Sequence, residues 1–288
     1  MSAPADTLPP ATRMGAVHLG VADLARSVAF YERALGLRVH DLGAGRATLG
    51  TGDEDLLVLR EEPGAAPARG FSGLFHFALL VPERADLARW LAHAARERVP
   101  LTGMSDHAVS EALYLRDPDE HGIEIYRDRP REQWEGQVDR LMTTLPLDVQ
   151  DLLNELDDPR TEPFDGLADG TTMGHVHLRV AQVDPVVAFY RDVLGFGLMA
   201  SLGPQAAFLG AGGYHHHLGA NTWESAGAPQ APAGVATLEQ ATILLPDAAA
   251  VDAAAGRLSD AGHEPQADDG GVLIRDPSGN PLRLAAER

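Results

Sequence analysis

Two histidines and one glutamate stand on apolar stretches of this sequence, where polar side chains are unusual. His18 interrupts the run AVHLGVA, His76 interrupts LFHFALLV, and Glu124 lies between isoleucines in GIEIY. A carboxylate among isoleucines is costly to bury without a positive partner. Two neutral imidazoles and one carboxylate can together hold a divalent metal and leave coordination positions open for substrate and oxygen. The alternative is that both histidines are hydrogen-bonded core residues and that Glu124 pairs with an arginine.

Three consecutive histidines form a second cluster, in YHHHLGANTW. If this stretch is a strand, His215 and His217 face one way and His216 the other, so that one face looks into a barrel beside His177. His177 and His216 are therefore candidates for a second metal site. A structural or vestigial role for them, or a pocket for a substrate carboxylate around Arg283, are the alternatives.

The elements that must position these residues occur twice. MGAVHLGVADLARSVAFYERALGLRV, from Met14, matches MGHVHLRVAQVDPVVAFYRDVLGFGL, from Met173, and LRDPDEHGIEIY matches IRDPSGNPLRLA at the same separation. Each copy holds two runs of one strand, one amphipathic helix and further short strands. We therefore predict an α+β fold of four βαβββ modules, paired into two domains.

The repeat also predicts where the domains begin and end. Residues 1–13 are expected to be a disordered tail, and 14–128 an N-terminal domain made of modules 1 and 2. Residues 129–172 are expected to be a connector with one helix, and 173–288 a C-terminal domain made of modules 3 and 4.

Composition narrows the partners and the location. The formal net charge is -19, from 42 acidic and 23 basic residues, and every basic residue is arginine. Nucleic acid is an unfavourable partner because phosphate binding needs a basic surface. The sequence has no cysteine, which excludes thiolate ligands and cysteine nucleophiles. It shows no signal peptide and no apolar run of membrane-spanning length, so we predict a cytoplasmic protein that does not engage a membrane.

Together these features resemble the vicinal oxygen chelate superfamily, which includes glyoxalases, bleomycin and fosfomycin resistance proteins and extradiol dioxygenases. The resemblance rests on the paired modules, the pattern AFYERALG and the residues His18, His76 and Glu124. It implies that each domain is an open mixed-sheet barrel with helices outside, and that these three residues are metal ligands. The four-module length is similar to the catechol 2,3-dioxygenase type.

A longer stretch, DHAVSEALYLRDPDEHGIE, is similar to the extradiol dioxygenase signature. In that signature the final glutamate, here Glu124, is a metal ligand, whereas the histidine and tyrosine hydrogen-bond the substrate or its oxygenated intermediate. The resemblance therefore implies catalytic roles for His107 and Tyr114. Glu120 departs from the signature, which usually has glycine at that position.

The C-terminal copy does not keep the same ligand set. His177 aligns with His18, but Gln240 takes the position of His76, and Arg283 takes the position of Glu124. A guanidinium has no lone pair for a metal. We therefore expect the working site in the N-terminal copy, although two-domain extradiol enzymes mostly keep their metal in the C-terminal domain.

Three functions are compatible with these residues. The leading hypothesis is an extradiol ring-cleaving dioxygenase that takes a catechol-like aromatic and dioxygen, with Fe(II), or else Mn(II) or another divalent metal. The second is a metal-dependent glyoxalase, lyase or resistance-type transferase of the same fold, with Glu61 or Glu62 as a fourth ligand. The third is a non-catalytic protein that binds a small aromatic or planar molecule. Exposed sheet edges in such a fold are compatible with a homo-oligomer.

Overall fold

The computed structural model describes residues 7–287, and it has the predicted α+β architecture of four modules. The first module comprises β1 (Arg13–Val21), α1 (Leu24–Phe30) with a π-helical extension (Tyr31–Leu35), β2 (Arg38–Gly43), β3 (Arg46–Thr51) and β4 (Glu54–Glu61). The second, after the short strand β5 (Ala66–Pro67), comprises β6 (Gly73–Leu80), α2 (Arg84–Glu97), β7 (Leu101–Asp106), β8 (Ser110–Arg116) and β9 (Gly122–Asp128).

The second half repeats this order after a connector. The connector holds a 3-10 turn (Arg131–Gln133), α3 (Val138–Leu141), β10 (Leu145–Pro146) and α4 (Val149–Leu153). The third module comprises β11 (Thr172–Arg179), α5 (Val183–Ala188) with a π-helical extension (Phe189–Leu194), β12 (Gly197–Ser201), β13 (Ala206–Gly210) and β14 (Leu218–Asn221). The fourth, after β15 (Val235–Ala236), comprises β16 (Leu238–Leu245), α6 (Ala248–Asp260), β17 (Gln266–Asp268), β18 (Gly271–Arg275) and β19 (Pro281–Ala286).

The helix ends follow local chemistry. The Asp23 carboxylate caps α1 by accepting from the Arg26 amide at 2.9 Å, and Asp247 caps α6 in the same way. Both π-helical extensions end at a glycine with left-handed backbone, Gly36 at φ 73° and Gly195 at φ 95°. Glycine adopts this conformation without the steric cost of a Cβ, so the chain can turn back toward the sheet.

The strands form two large mixed sheets, each built from one module of either half. Sheet I has the order β17-β18-β19-β16-β1-β4-β3-β2 and joins module 1 to module 4. Sheet II has the order β10-β7-β8-β9-β6-β11-β14-β13-β12 and joins module 2 to module 3. At the centre of each sheet the first strands of two modules pair antiparallel, β1 with β16 and β6 with β11.

This pairing corrects one expectation from the sequence. We expected modules 1 and 2 to share a barrel and modules 3 and 4 to share another, because consecutive elements usually lie side by side. The first strand of every module offers a similar apolar edge, so the repeat does not say which modules meet. The residues that sheet II brings together come from residues 73–128 and 172–221, on both sides of the connector.

One continuous core binds the two halves. Buried side chains from both repeats belong to it, among them Leu19, Leu79, Trp90, Val176 and Leu284. The Trp90 indole donates to the Ala34 carbonyl at 3.1 Å, which ties α2 to the helix of module 1. Burial of this apolar surface, at about 25 cal/mol per Å², is the main stabilising contribution to such a fold.

The tail and the connector are more ordered than the sequence suggested. Residues 1–6 of the expected tail lie outside the described residues, but Leu8 is buried, and its amide donates to the Gly195 carbonyl at 2.9 Å. The connector contains two short α-helices and a strand where one helix was expected. Among residues 7–287 no helix has the length and apolar character needed to cross a membrane. The cytoplasmic location stays a prediction.

Candidate metal centre

Three side chains from three neighbouring strands of sheet II meet at one point. His76 Nε2 lies 3.1 Å from Glu124 Oε2, His175 Nε2 lies 3.2 Å from the same oxygen, and the two imidazole nitrogens are 3.3 Å apart. All three residues are buried. The three atoms therefore form a nearly equilateral triangle.

Strand register explains why these positions converge. In the antiparallel pair of β6 and β11, His177 lies opposite His76, and His175 lies opposite Ala78. In the parallel pair of β6 and β9, Glu124 also lies opposite Ala78. The three ligand candidates thus flank the small side chain of Ala78 on one face of the sheet, which leaves room for a bound ion.

The triangle fits a divalent metal. Octahedral coordination with bonds of about 2.1 Å places adjacent ligand atoms about 3.0 Å apart, close to the observed spacing. Two imidazoles and one carboxylate on one face are the donor set of non-haem iron(II) sites. Without a cation, both imidazole N–H groups would have to point at one carboxylate oxygen and so at each other. A cation at the centre would satisfy all three atoms.

The protonation states agree with metal binding. Burial acts to raise the pKa of Glu124, but the His175 and His76 side chains outweigh it and hold that pKa well below its ordinary value. Burial lowers the pKa of His175 to about 4, and Glu124 only partly opposes this. At neutral pH the site therefore presents a carboxylate and a neutral His175 imidazole, as metal ligation requires.

The triad opens into a pocket with a volume of about 630 Å³. His107 and Tyr114 line this pocket together with the triad. His107 Nδ1 lies 2.6 Å from the Thr143 carbonyl and donates to it, so in the neutral imidazole Nε2 accepts from the Tyr114 hydroxyl at 2.7 Å. Burial, followed by the Glu124 charge, raises the pKa of Tyr114 well above its ordinary value, so the phenol stays protonated.

The three consecutive histidines lie in a loop that ends where β14 begins, not on a strand as expected. His215 Nε2 lies 2.7 Å from the Asp128 carboxylate, and His215 Nδ1 lies 2.8 Å from His216 Nδ1. The His216 ring packs on the His175 ring, with centroids 4.1 Å apart, and lines the pocket. Burial lowers the pKa of His216 well below its ordinary value.

The residues predicted from the sequence as ligands or catalytic groups therefore lie partly in the pocket of sheet II and partly in sheet I. The structure brings His76, Glu124, His107 and Tyr114 into one pocket, and it does not bring His18 there. His18 lies on β1 in sheet I, opposite Gln240 and with its Nε2 3.4 Å from the Gln240 amide nitrogen. Its place in the proposed ligand set is taken by a residue from the other repeat.

The second-site candidates, His177 and His216, belong to the same pocket as the triad. A separate C-terminal site was expected because modules 3 and 4 were expected to share a barrel.

The fourth-ligand candidates, Glu61 and Glu62, lie outside the metal pocket. Glu61 is on β4 of sheet I, where its carboxylate accepts from the Leu24 amide at 3.1 Å, and Glu62 accepts from Arg60. Among residues 7–287, no further carboxylate or histidine joins the triad as a ligand candidate.

Sequence reasoning missed His175, although a signal was present. MGAVH and MGHVH differ at one position, so His175 is a histidine where the first repeat has Ala16. Alignment of the modules by their helix caps, Asp23 and Glu83, places His76 over Ala16 and not over His18. The same alignment therefore pairs His76 with His175.

Fold and site together define a class: a repeat of βαβββ modules that gathers a His, His, Glu set on the concave face of one curled sheet. The model of the Glyoxalase/Bleomycin resistance protein/Dioxygenase superfamily matches residues 13–125 and 172–284. The chain belongs to this superfamily.

Individual relatives agree with this assignment. A catechol-2,3-dioxygenase of Bacillus subtilis (strain 168) is 40% identical over 274 residues, which cover 92% of this chain and 94% of the relative. The crystal structure of a Bacillus subtilis protein described as a putative dioxygenase matches 97% of this chain and 86% of its own, with TM-score 0.66 and 14% identity. Glyoxalase I from Zea mays matches 96% and 92%, with TM-score 0.59 and 16% identity. These two structures support the fold.

Proposed function

We propose that this protein is a metal-dependent extradiol dioxygenase that cleaves a catechol-like ring, with His76, Glu124 and His175 as its metal ligands. The carrying observation is the triangle of ligand atoms, 3.1 to 3.3 Å on a side, at the floor of an aromatic-lined pocket. The relative that shares 40% of its residues is named for this activity. A pocket of about 630 Å³ is ample for a single ring and a small substituent.

The metal of this proposal is Fe(II), with Mn(II) as the alternative, because the donor set is that of non-haem iron(II) oxygenases. When bound, the metal would supply Lewis-acid and redox chemistry that acidifies coordinated hydroxyls and brings the diol and dioxygen together. The three residues fit such an ion because their ligand atoms are 3.1 to 3.3 Å apart and because Glu124 supplies a negative charge at neutral pH.

Tyr114 and His107 would handle the proton of a substrate hydroxyl. The Tyr114 hydroxyl donates to His107 Nε2, so its oxygen is free to accept a hydrogen bond from a substrate hydroxyl. A proton can then pass from the substrate to the tyrosine oxygen while the tyrosine proton moves to His107 Nε2. The Thr143 carbonyl accepts from Nδ1 and would stabilise the resulting imidazolium.

His216 provides a second proton-handling group, on the β14 side of the triad. Asp128 accepts from His215 Nε2, and this leaves His215 Nδ1 as the partner of His216 Nδ1. The chain of hydrogen bonds fixes the His216 ring against His175 and directs its Nε2 edge away from His215. In this position His216 would exchange a proton with bound substrate or product.

The test compares two structurally equivalent positions. Protein purified without oxygen is assayed for metal content and for catechol-dependent oxygen uptake, alongside the variants Glu124→Gln and Arg283→Gln. Arg283 occupies the position of Glu124 in sheet I, opposite Thr242 as Glu124 is opposite Ala78. We expect Glu124→Gln to lose both metal and uptake, and Arg283→Gln to retain them.

Other outcomes favour the other functions. Retention of both metal and oxygen uptake in Glu124→Gln would refute the proposal. A metal-loaded protein that consumes no oxygen would favour an isomerase, lyase or transferase of the same fold. Aromatic ligand binding that survives complete removal of metal by a chelator would favour a non-catalytic binding protein.

A further inference from the structure

A second, smaller pocket of about 270 Å³ lies next to the metal pocket. Arg116 contributes to the walls of both. Trp223 lines the metal pocket and its chain neighbour Glu224 lines the smaller one, so the two spaces are adjacent along the chain as well. Arg179 also lines the smaller pocket.

The two arginines continue the strands that carry the site. Arg179 follows His177 by two residues on β11, and Arg116 follows Tyr114 by two residues on β8. Alternate residues of a strand share a face and are about 7 Å apart along it. The arginines therefore extend the functional face of sheet II beyond the aromatic side chains of the metal pocket.

Arg179 is a buried cation with little compensation. The residue is 8% exposed, and its Nε is buried with no hydrogen-bond partner among the described residues. The carboxylate paired with it, Glu224, is half exposed and lies 3.6 Å from Arg179 Nη1, beyond hydrogen-bond length. Burial lowers the pKa of Arg179, and Glu224 only partly opposes this. Burying a charge without close pairing is unfavourable, so such a site favours an added anion.

The Glu224 carboxylate lies between Arg179 and Arg116, whereas the other carboxylates at this pocket are paired with other arginines. Arg116 Nη2 lies 3.7 Å from the second oxygen of Glu224. Asp119 pairs with Arg26 at 2.5 Å, and Glu120 accepts from Arg69 Nε at 2.7 Å. Glu120 keeps a left-handed backbone, φ 70°, at the signature position where glycine is usual.

Comparison of the repeats separates the roles of the two arginines. Arg116 Nη1 donates to the Glu120 carbonyl at 3.0 Å, and its counterpart Arg275 donates to the Gly279 carbonyl at 2.7 Å, so both brace the same turn. Arg179 has no such counterpart, because the first repeat has Gly20 at that position. The fold is therefore built without an arginine there, and Arg179 is available for another task.

We propose that this pocket is a carboxylate-binding subsite, in which Arg179 and Arg116 hold the carboxylate of a small molecule and Glu224 is the competitor that it displaces. Bidentate guanidinium–carboxylate pairing supplies both affinity and orientation. The carboxylate can come from an acidic side chain of the ring substrate in the metal pocket or from a separate small acid. The first source rests on the proposed function, and the second does not.

The binding test uses succinate as the probe and the full-length, metal-loaded protein. Calorimetric titration is performed on the wild type, Arg179→Gln, Glu224→Gln and the control Arg275→Gln, which loses the same turn contact in the other repeat. We expect Arg179→Gln to weaken succinate binding about tenfold or more, as for loss of a charged hydrogen bond. Glu224→Gln should tighten it about threefold, and Arg275→Gln should leave it unchanged.

Opposite signs for the two substitutions are the distinctive result. If neither succinate nor dihydroxyphenylpropanoate binds more tightly to Glu224→Gln than to the wild type, the proposal is overturned, and Arg179 and Glu224 are only a structural pair. Because Glu224 is half exposed, Glu224→Gln is expected to fold, so this result can be read even if Arg179→Gln does not fold.

Kinetics with two catechols distinguish the sources. KM for oxygen uptake is measured with catechol and with dihydroxyphenylpropanoate. If the substrate supplies the carboxylate, Arg179→Gln raises KM about tenfold for the acid and leaves that for catechol unchanged. If a separate acid binds, Arg179→Gln changes neither KM but still weakens succinate binding about tenfold or more. Absence of oxygen uptake in the wild type would refute the proposed function and leave the succinate titration to decide on the subsite.

Discussion

Sheets I and II have the same strand order about their centres but differ at the positions of the proposed metal ligands and of the His107–Tyr114 pair. The ligand positions of sheet II hold His76, Glu124 and His175, and the equivalent positions of sheet I hold Gln240, Arg283 and Ala16. His107 and Tyr114 likewise correspond to Gln266 and Leu273 in the second repeat. The same sheet arrangement is thus formed with and without the proposed metal ligands.

In sheet I, the polar side chains at the equivalent positions are hydrogen-bonded to other protein groups. Arg283 donates to the Asp268 carboxylate at 2.6 Å and to the Asp269 carbonyl at 2.8 Å, so its charge is compensated by protein groups. The Gln240 amide donates to the Thr242 hydroxyl at 3.1 Å. Sheet II instead leaves one carboxylate shared by two imidazoles. This difference agrees with the proposed role of the triad, whose three side chains are brought together by the register of β6, β9 and β11.

The largest effect that would separate the two sheets is on metal content. We expect His175→Ala to reduce bound metal to background, because it removes one of three ligands, and His18→Ala to leave the metal content at the wild-type level. Elemental analysis after anaerobic reconstitution with Fe(II) measures both. Circular dichroism of each variant checks that the fold is retained. If His18→Ala loses the metal and His175→Ala keeps it, the ligands are instead His18, His76 and Glu124, as the sequence suggested.

A smaller effect is expected from the proton-handling pair, which sheet I lacks. Tyr114→Phe removes the hydroxyl that donates to His107, while the phenyl ring keeps the packing against His76, at 5.7 Å between ring centroids. We expect kcat for oxygen uptake to fall about 100-fold with metal content unchanged, the usual contribution of a general acid or base. Tyr126→Phe, which breaks the contact between the Tyr126 and Tyr214 hydroxyls, is the matched control. Equal losses in the two variants would argue against a specific role for Tyr114.

Sequence alone predicted the modules, the repeat and six of the residues that line the pocket, namely His76, His107, Tyr114, Glu124, His177 and His216. The apolar periodicity around His76 and the signature from His107 to Glu124 lie within one module, so their local geometry is set by neighbouring residues. His175 was missed because it reaches the site through the pairing of β6 with β11, across the connector. Which modules pair depends on the packing of the whole core. The first strands of the four modules have similar apolar sequences, so these sequences do not indicate which strands pair.

The same reasoning explains the error about His18. His18 and His76 were grouped as ligands because each is the histidine on the first strand of its module, but the helix caps Asp23 and Glu83 place His76 over Ala16. His18 lies two residues after Ala16, so its side chain is on the same face of the strand but not at the position equivalent to His76. Helix caps, which fix where each module begins, are therefore better anchors for such an alignment than the histidines themselves.

The smallest expected difference between the sheets concerns pH. Burial lowers the pKa of His18 from 6.5 to about 4, and the nearby charges of Arg46 and Arg283 add to this while Asp268 opposes it. Because the unfolded chain then binds the proton more readily than the native state, His18 costs no stability above pH 6.5 and reduces stability as the pH falls toward 4. We expect the stability that is lost between pH 7.5 and pH 5 to be about 2 kcal/mol smaller for His18→Gln than for the wild type.

Urea unfolding at the two pH values measures this difference, with the metal-free protein used throughout so that ligand protonation in sheet II is common to all samples. Thr242→Val, which alters the partner of Gln240 without adding or removing a titrating group, should show the same pH dependence as the wild type. If His18→Gln and the wild type lose stability equally between pH 7.5 and 5, then His18 is protonated in the native state. Sheet I would in that case tolerate a buried positive charge at the very face where sheet II would hold its metal.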